Sequence, residues 1–381
     1  MLRVHPSLSG IPADQWNKLA GHHPALQHEF LSSLESSGCA SIETGWQPCH
    51  LALWRGDTLA AAMPLYLKHH SRGEYVFDWA WARAYEQHGH DYYPKLVSAI
   101  PFSPLPGSRL LARTLDDRLQ LIAAAQELAR QNDASSLHLL FCDAADLAAC
   151  DAAGLVRREQ VQFHWQRDPA WRDFDDFLMS LSHDKRKKIR QDRRKVASAG
   201  IEIAALRGNE IDVDDWAFFQ RCYEHTYLEH RSAPYLNAEF FARTAAGQPQ
   251  QWLLVMAYRN GQPIACALNL VGSDRLYGRY WGAQWDDAGW VPGLHFELCY
   301  YQGIAYAIAH GIDVFEGGAQ GEHKLARGFA PVLTHSAHWL AHPGFADAVE
   351  RFLAHERELV GRYRDEMEMH TPFRSPGFTP P

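Results

Sequence analysis

Long apolar runs, paired cysteines and an excess of positive charge are all missing from this chain. No stretch of its 381 residues approaches the roughly 20 apolar residues of a membrane-spanning helix. The opening MLRVHPSLSG has no apolar run of the kind a signal peptide carries, so neither a span nor a leader is expected. The 7 cysteines (39, 49, 142, 150, 222, 266 and 299) are odd in number and never spaced Cys-x-x-Cys. That pattern fits reduced thiols in a cytoplasmic protein and excludes a disulfide framework or a cysteine zinc site. A net charge of −8 argues against general nucleic-acid coating, and no DNA partner is expected. There are 22 histidines, but the densest groups, His88/His90/Asp91 and His225/His230, lack the spacing to converge on one ion. The second pair is five apart, about 500° of helical rotation, so no metal site is expected.

One segment contradicts the acidic background. SHDKRKKIRQDRRKVASAG, residues 182–200, holds eight Lys or Arg against two Asp between His183 and Lys195, a local charge of +6. The rest of the chain then carries 29 basic and 43 acidic residues, or −14. Only Leu181, Ile189 and Val196 provide an apolar seam, so a helix here turns most of its cations to solvent or to a ligand.

At this length two domains are expected, and a repeat places the join. LALWRGDTLAAAMPLYL (51–67) and LLVMAYRNGQPIACALNLV (253–271) both read as strand, tight turn, strand; Asn260-Gly261 is a strong hairpin signal. After each come a strand (KLVSAI; RLYGRYWGA), a loop (PFSPLPGSR; QWDDAGWVPG), a helix (DDRLQLIAAAQELARQ; LHFELCYYQGIAYAIAHG) and a further strand (SLHLLF; IDVFE). The boundary is expected near HWQRDPAWRD, giving residues 1–166 and 167–381, with the basic helix opening the second copy. The run GFADAVERFLAHERELVGRYRDEM spaces its apolar residues as an amphipathic helix.

This order resembles the GNAT acyltransferase fold, and the tandem arrangement resembles the Fem aminoacyl transferases. In that family the helix opening the second copy runs Lys-Arg, Ile-Arg, further basic residues, then Gly-Ile or Gly-Val. Here it reads Lys185-Arg186, Ile189-Arg190, Arg193-Arg194-Lys195 and Gly200-Ile201. GEYVFDWAWARAYEQHGHDYYPKL and FEGGAQGEHKLARGFAPVLTHSAHW look like the FemAB-like group of peptidoglycan biosynthesis/recognition proteins, also described as predicted N-acyltransferases. The resemblance implies a mixed α/β chain of two tandem GNAT-like domains, each a twisted mixed sheet flanked by helices. It also implies transfer of an acyl or aminoacyl group from a thioester or ester donor to an amine.

Residue chemistry nominates the site. An apolar strand ends at Glu316 and runs into Gly317, Gly318 and Gly321, followed by Glu322, His323, Lys324 and Arg327. Ligand sites in open α/β sheets form where strand ends open into loops. Glu316, His323 and Lys324 are the catalytic candidates, with Arg327 and Gln320 beside them for substrate. On a 100° wheel Glu297 falls near Ile304, within the apolar arc, which makes it a second candidate base. Lys185, Arg186 and Arg190 form a candidate clamp for an anionic substrate or donor, and Arg231 a further one. Arg279, Tyr280 and Trp281 come from YGRYWGAQW. YVFDWAWARAY reads as a strand with Tyr75, Phe77, Trp79 and Trp81 on one face. Asp78, Trp81 and Tyr85, with Tyr92, Tyr93 and Lys95, are then candidate cleft residues.

GNAT enzymes that use coenzyme A hold its diphosphate on the loop before the repeat's helix. In the second copy Asp286 and Asp287 oppose this, so Gly107, Ser108 and Arg109 of the first copy are the better anion candidates. No cofactor is required; acyl-coenzyme A is one candidate co-substrate. A charged tRNA gripped by the basic helix and acting on a cell-wall precursor is the alternative donor. A non-catalytic module binding such a precursor is the third reading.

Overall fold

The computed structural model describes residues 1–285, 288–318 and 321–374. The chain forms two compact units. The first comprises Met1–Gln160, Tyr235–Gly247 and Leu333–Arg362; the second comprises Val161–Pro234, Gln248–Val332 and Tyr363–Pro381. The chain thus passes into the second unit at 160/161, and two later segments belong to the first.

In the second unit the expected hairpin forms from Trp252–Arg259 and Gln262–Val271. Its turn residues Asn260 (φ 53°) and Gly261 (φ 75°) are both left-handed, as a two-residue turn matched to strand twist requires. Ile201–Arg207 joins one edge of the hairpin and Arg275–Ala283 the other. A helical segment, Leu294–Ala309, then returns the chain so that Val314–Glu316 lies parallel to Arg275–Ala283. Residues of Val156–Gln166 pair antiparallel on its far side. The core is the helix-covered face, including Leu253, Val255, Leu276, Leu298, Ile304 and Phe315. Each such side chain contributes about 1.5–3 kcal/mol when removed from water.

The first unit repeats the plan with a difference. His50–Arg55 and Thr58–Met63 form the hairpin, and Lys95–Ser98, Leu115–Gln131 and Ser136–Leu139 form the strand–helix–strand crossover with parallel pairing. Here the hairpin belongs to a separate sheet with Leu2–His5 and Leu111–Ala112, and Lys95–Ser98 pairs instead with Tyr66–Lys68. This unit has its own core, with Leu51, Met63, Leu96, Leu121 and Leu137.

The aromatic run departs from expectation: Trp79–Gln87 is a helix, preceded by Tyr75 at φ 61°. Its alternation over seven residues fits either periodicity. Ala80, Ala82 and Ala84 are strong helix formers, and Trp81 and Tyr85, four apart, bury one common face. The basic segment is a helix, His183–Ser198, and the C-terminal helix spans Pro343–Met369. Among the described residues no helix is long and apolar enough to cross a membrane.

Candidate active site

The parallel strands Arg275–Ala283 and Val314–Glu316 pair over three residues only, ending with Tyr277 opposite Glu316. The first runs on past a bulge at Arg279, which lets Tyr280 oppose Leu268 while Gly278 opposes Asn269. The second gives way to Gly317 and Gly318, whose backbone bonds to Phe163 on the neighbouring strand. A Cβ on Gly317 would lie 2.8 Å from the Phe329 ring and 3.1 Å from the Phe163 carbonyl, so only glycine fits there.

Successive residues of a strand face opposite ways. Phe315 points at the helix, where its ring fills the space beside Gly303. Glu316 points away, is 2% exposed, and takes Arg275 Nη1 on Oε1 at 2.9 Å. Its Oε2 is buried with no hydrogen-bond partner among the described residues. Burial raises this carboxyl to about 7, outweighing Arg275. Directly across the strand pair stands His164, which burial, then Arg275 and Lys324, hold neutral, at about 4.

Lys324 lies on the short helical turn Glu322–Arg327. It is buried, donates to the Gly318 carbonyl at 3.3 Å, and burial lowers its ammonium to about 8. Glu316 closes the strand and Lys324 bonds two residues beyond it, at Gly318, and burial shifts both toward neutrality.

His323 goes elsewhere. Its Nε2 meets Tyr300 Oη at 3.0 Å within an aromatic group on the helix side that includes His295 and Phe296. His295, not singled out from sequence, is pushed down to about 4 by burial, then by His323, Arg327 and Lys324. Trp281 packs edge-on to His295 at 5.1 Å, whereas Tyr280 turns to the other face, against Tyr223 and under Arg279. Arg327, expected to hold substrate, is committed internally: to the His323 carbonyl at 2.6 Å, to Asp192 at 3.7 Å and to the face of Phe296.

Glu297 is buried but is no unengaged base. Both its oxygens accept Arg193 Nε at 3.2 Å, and Oε1 also accepts Gln302 Nε2 at 2.8 Å. Residues Glu297–Tyr301 form a π-helical segment, so the 100° wheel does not hold across it. This ion pair stands in a groove of about 990 Å³ along the basic helix. Arg186, Lys187, Arg190, Arg193 and Arg194 line it; Lys185 does not. Arg231 is exposed at φ 54° after the helix Val213–Glu229, and its side chain has no hydrogen bond or ion pair among the described residues. Gln320, Asp286 and Asp287 lie outside the described residues.

Two groups of first-unit candidates are corrected. Asp78, Trp81 and Tyr85 are interior residues. Asp78 accepts Lys95 Nζ and Tyr92 Oη, both at 2.5 Å. Burial opposes its ionisation, but Lys95 and His138 hold it well below the usual carboxylate range. Trp81 packs on His338 and beneath Arg158, and Tyr85 stacks on Phe345 at 3.8 Å. The loop Gly107–Arg109 is filled by the protein itself. The Asp146 carboxylate takes the backbone N–H of Arg109 and Leu110 and the Ser108 hydroxyl. The Arg109 guanidinium donates to the carbonyls of Leu140, Ser108 and Leu105. The anion site expected there is occupied by an internal carboxylate.

The model of the FemAB-like family, described as peptidoglycan biosynthesis/recognition, matches residues 7–375. The chain belongs to the FemAB-like family. The crystal structure of FemX is 11% identical, covers 89% of this chain and 98% of its own, and superposes with a TM-score of 0.55. L-PGS from Bacillus licheniformis is 11% identical, with 85% and 96% covered and a TM-score of 0.50. At that identity the likeness establishes a shared fold for this FemAB-like chain. No curated protein sequence matches it.

Proposed function

We propose that this FemAB-like protein is an N-acyltransferase that moves an acyl or aminoacyl group from a thioester or ester to an amine. The observation that carries the reading is Glu316: a buried carboxyl at a strand end, with Oε2 unfilled and its proton held up to about 7. An ammonium acceptor first releases one proton to solvent, the neutral amine sheds a second as the amide bond forms, and a base near neutrality suits that second transfer. In the proposed step Glu316 Oε2 takes the amine proton as nitrogen bonds to the donor carbonyl carbon. Lys324, still cationic below about pH 8, offsets the charge on the tetrahedral oxyanion. The C–S or C–O bond then breaks, and the leaving thiolate or alkoxide recovers the proton from Glu316.

For the donor, the filled Gly107–Arg109 loop speaks against an acyl-coenzyme A diphosphate held there. The cationic groove supports an anionic ligand, which keeps a charged tRNA in view. The test is mass spectrometry of acylated amine products across a panel of acyl-coenzyme A and charged-tRNA donors. Glu316→Gln should lower turnover roughly 10²–10⁴-fold. The wild-type rate should rise with pH through about 7 as Glu316 deprotonates and fall above about 8 as Lys324 loses its charge. Wild-type turnover in both Glu316→Gln and Lys324→Ala would place the chemistry elsewhere, and His323→Ala separates the helix-side group from this pair.

A further inference from the structure

The groove along His183–Ser198 takes no part in the chemistry assigned to Glu316, yet its lining is specific. Lys188, Arg193 and Asp192 of this helix have ion-pair partners: Lys188 with Asp192, Arg193 with Glu297, and Asp192 also with Arg327. Arg186, Lys187, Arg190 and Arg194, all lining the groove, have no carboxylate partner among the described residues. Among the described residues the Arg186 guanidinium reaches only the Met179 sulfur, at 3.4 Å, and burial plus its neighbours Arg374 and Arg190 push its pKa down. The acids of the lining are Glu297, already neutralised by Arg193, and exposed Asp175, so the rim stays strongly positive.

The same groove is also lined by aliphatic side chains: Met179, Ala197, Ile201 and Ile203, with the edges of the buried Leu178 and Val196. Met179 leaves 49% of its surface uncovered. Surfaces that bind RNA present aromatic rings for its bases as well as cations for its phosphates, and among the described residues the groove lining has no Phe, Tyr or Trp, its one ring being the exposed His183. Clustered guanidinium groups suit a phosphate, which they can grip through paired N–H donors. An aliphatic wall suits an alkyl chain.

We propose that this groove binds an anionic amphiphile: a phosphate head group on Arg186, Arg190 and Arg194, its alkyl chain against Leu178, Met179, Ile201 and Ile203. This is a binding site, and it stands independently of acyl transfer at Glu316. The ligand is either a membrane lipid or a soluble alkyl phosphate, and the assays separate the two sources.

Binding of the full chain is measured to decyl phosphate and to inorganic phosphate by calorimetry. Sedimentation tests phosphatidylcholine vesicles with and without phosphatidylglycerol. Decyl phosphate should bind at least about tenfold more tightly than inorganic phosphate. Added retention on phosphatidylglycerol vesicles identifies a lipid source; decyl phosphate binding without it identifies a soluble one, and both support the site. Arg186→Gln with Arg190→Gln should weaken binding about thirtyfold. Met179→Gln, which removes the apolar surface without adding charge beside Arg186, should weaken decyl phosphate and spare inorganic phosphate. Lys195→Gln, exposed on the same helix outside the groove, is the matched control and should change little. All these side chains are at the surface, and circular-dichroism melting confirms that the variants fold. Equal affinity for the two phosphates, or wild-type decyl phosphate binding by Met179→Gln, overturns the proposal. Bulk tRNA binding lost in the arginine pair but retained in Met179→Gln assigns the groove to RNA instead.

Discussion

Each unit buries carboxylates and lysines, and the two arrangements behave in opposite ways. In the first, Lys95 is fully buried and donates to Glu74, Asp78 and Ser71 within 2.8 Å. Burial would strip its charge, but the two carboxylates outweigh burial and hold the ammonium above its usual value, while Asp78 is held low. In the second, Glu316 shares one oxygen with a partly exposed Arg275 and leaves the other unfilled, and Lys324 leans on a carbonyl. Burial dominates there, driving the carboxyl up to about 7 and the ammonium down to about 8. Charge therefore stays in place where close opposite charges outweigh burial, as at Lys95 and Asp78, and shifts toward neutrality where burial outweighs them, as at Glu316 and at Glu74 in the first unit. Lys68 confirms the rule inside the first unit: with Glu74 at 3.7 Å and the Trp46 ring beneath it, it falls to about 7.

The contrast can be broken most forcefully at Lys95. Lys95→Met should cost roughly 3–5 kcal/mol in urea unfolding, because two buried carboxylates lose their ammonium, whereas Glu316→Gln should leave the fold at least as stable. A weaker but sharper test is the pH slope of stability. Glu316 has a raised folded-state value, so its contribution is present at acid pH and lost as pH rises from about 4.5 through about 7, roughly 3 kcal/mol in all. Asp78 has a lowered value, so its contribution is present at neutral pH and lost as pH falls below the usual carboxylate range. Glu316→Gln should flatten the first slope and Asp78→Asn the second; identical slopes in wild type and both variants would refute the distinction. At the small end, Arg231→Ala should shift stability by no more than about 0.5 kcal/mol and leave turnover unchanged. A loss of turnover would restore Arg231 as a substrate clamp.

What could be read from the sequence was local. The two hairpins, their turn residues, the strand–helix–strand repeat and the basic helix each follow from periodicity or turn chemistry within about 20 residues. The glycines after Glu316 likewise marked the strand end. The misreadings involve partners distant in the chain. Arg109 and Asp146 are 37 positions apart, and Arg193 and Glu297 are 104 apart, so no spacing rule could pair them. The placement of His164 opposite Glu316 depends on sheet register across 152 residues and left no mark in QFHW. The helix Trp79–Gln87 was lost because seven alternating residues fit both periods, and only the buried Trp81–Tyr85 face decides between them.

The π-helical segment Glu297–Tyr301 has a consequence for how this site can change over evolutionary time. A π turn is an α-helix that has accepted one additional residue, and removing one from it restores the shorter repeat. Such a deletion would rotate everything before it by about 100° relative to everything after it. His295 would swing away from His323, and Glu297 from Arg193, while Ile304 and Ile308 stayed in the core. The aromatic-side and groove-side contacts of this helix therefore share one point of failure, and it is a change of length. Relatives that have lost both sets of contacts are to be sought among chains one residue shorter between Leu294 and Gln302.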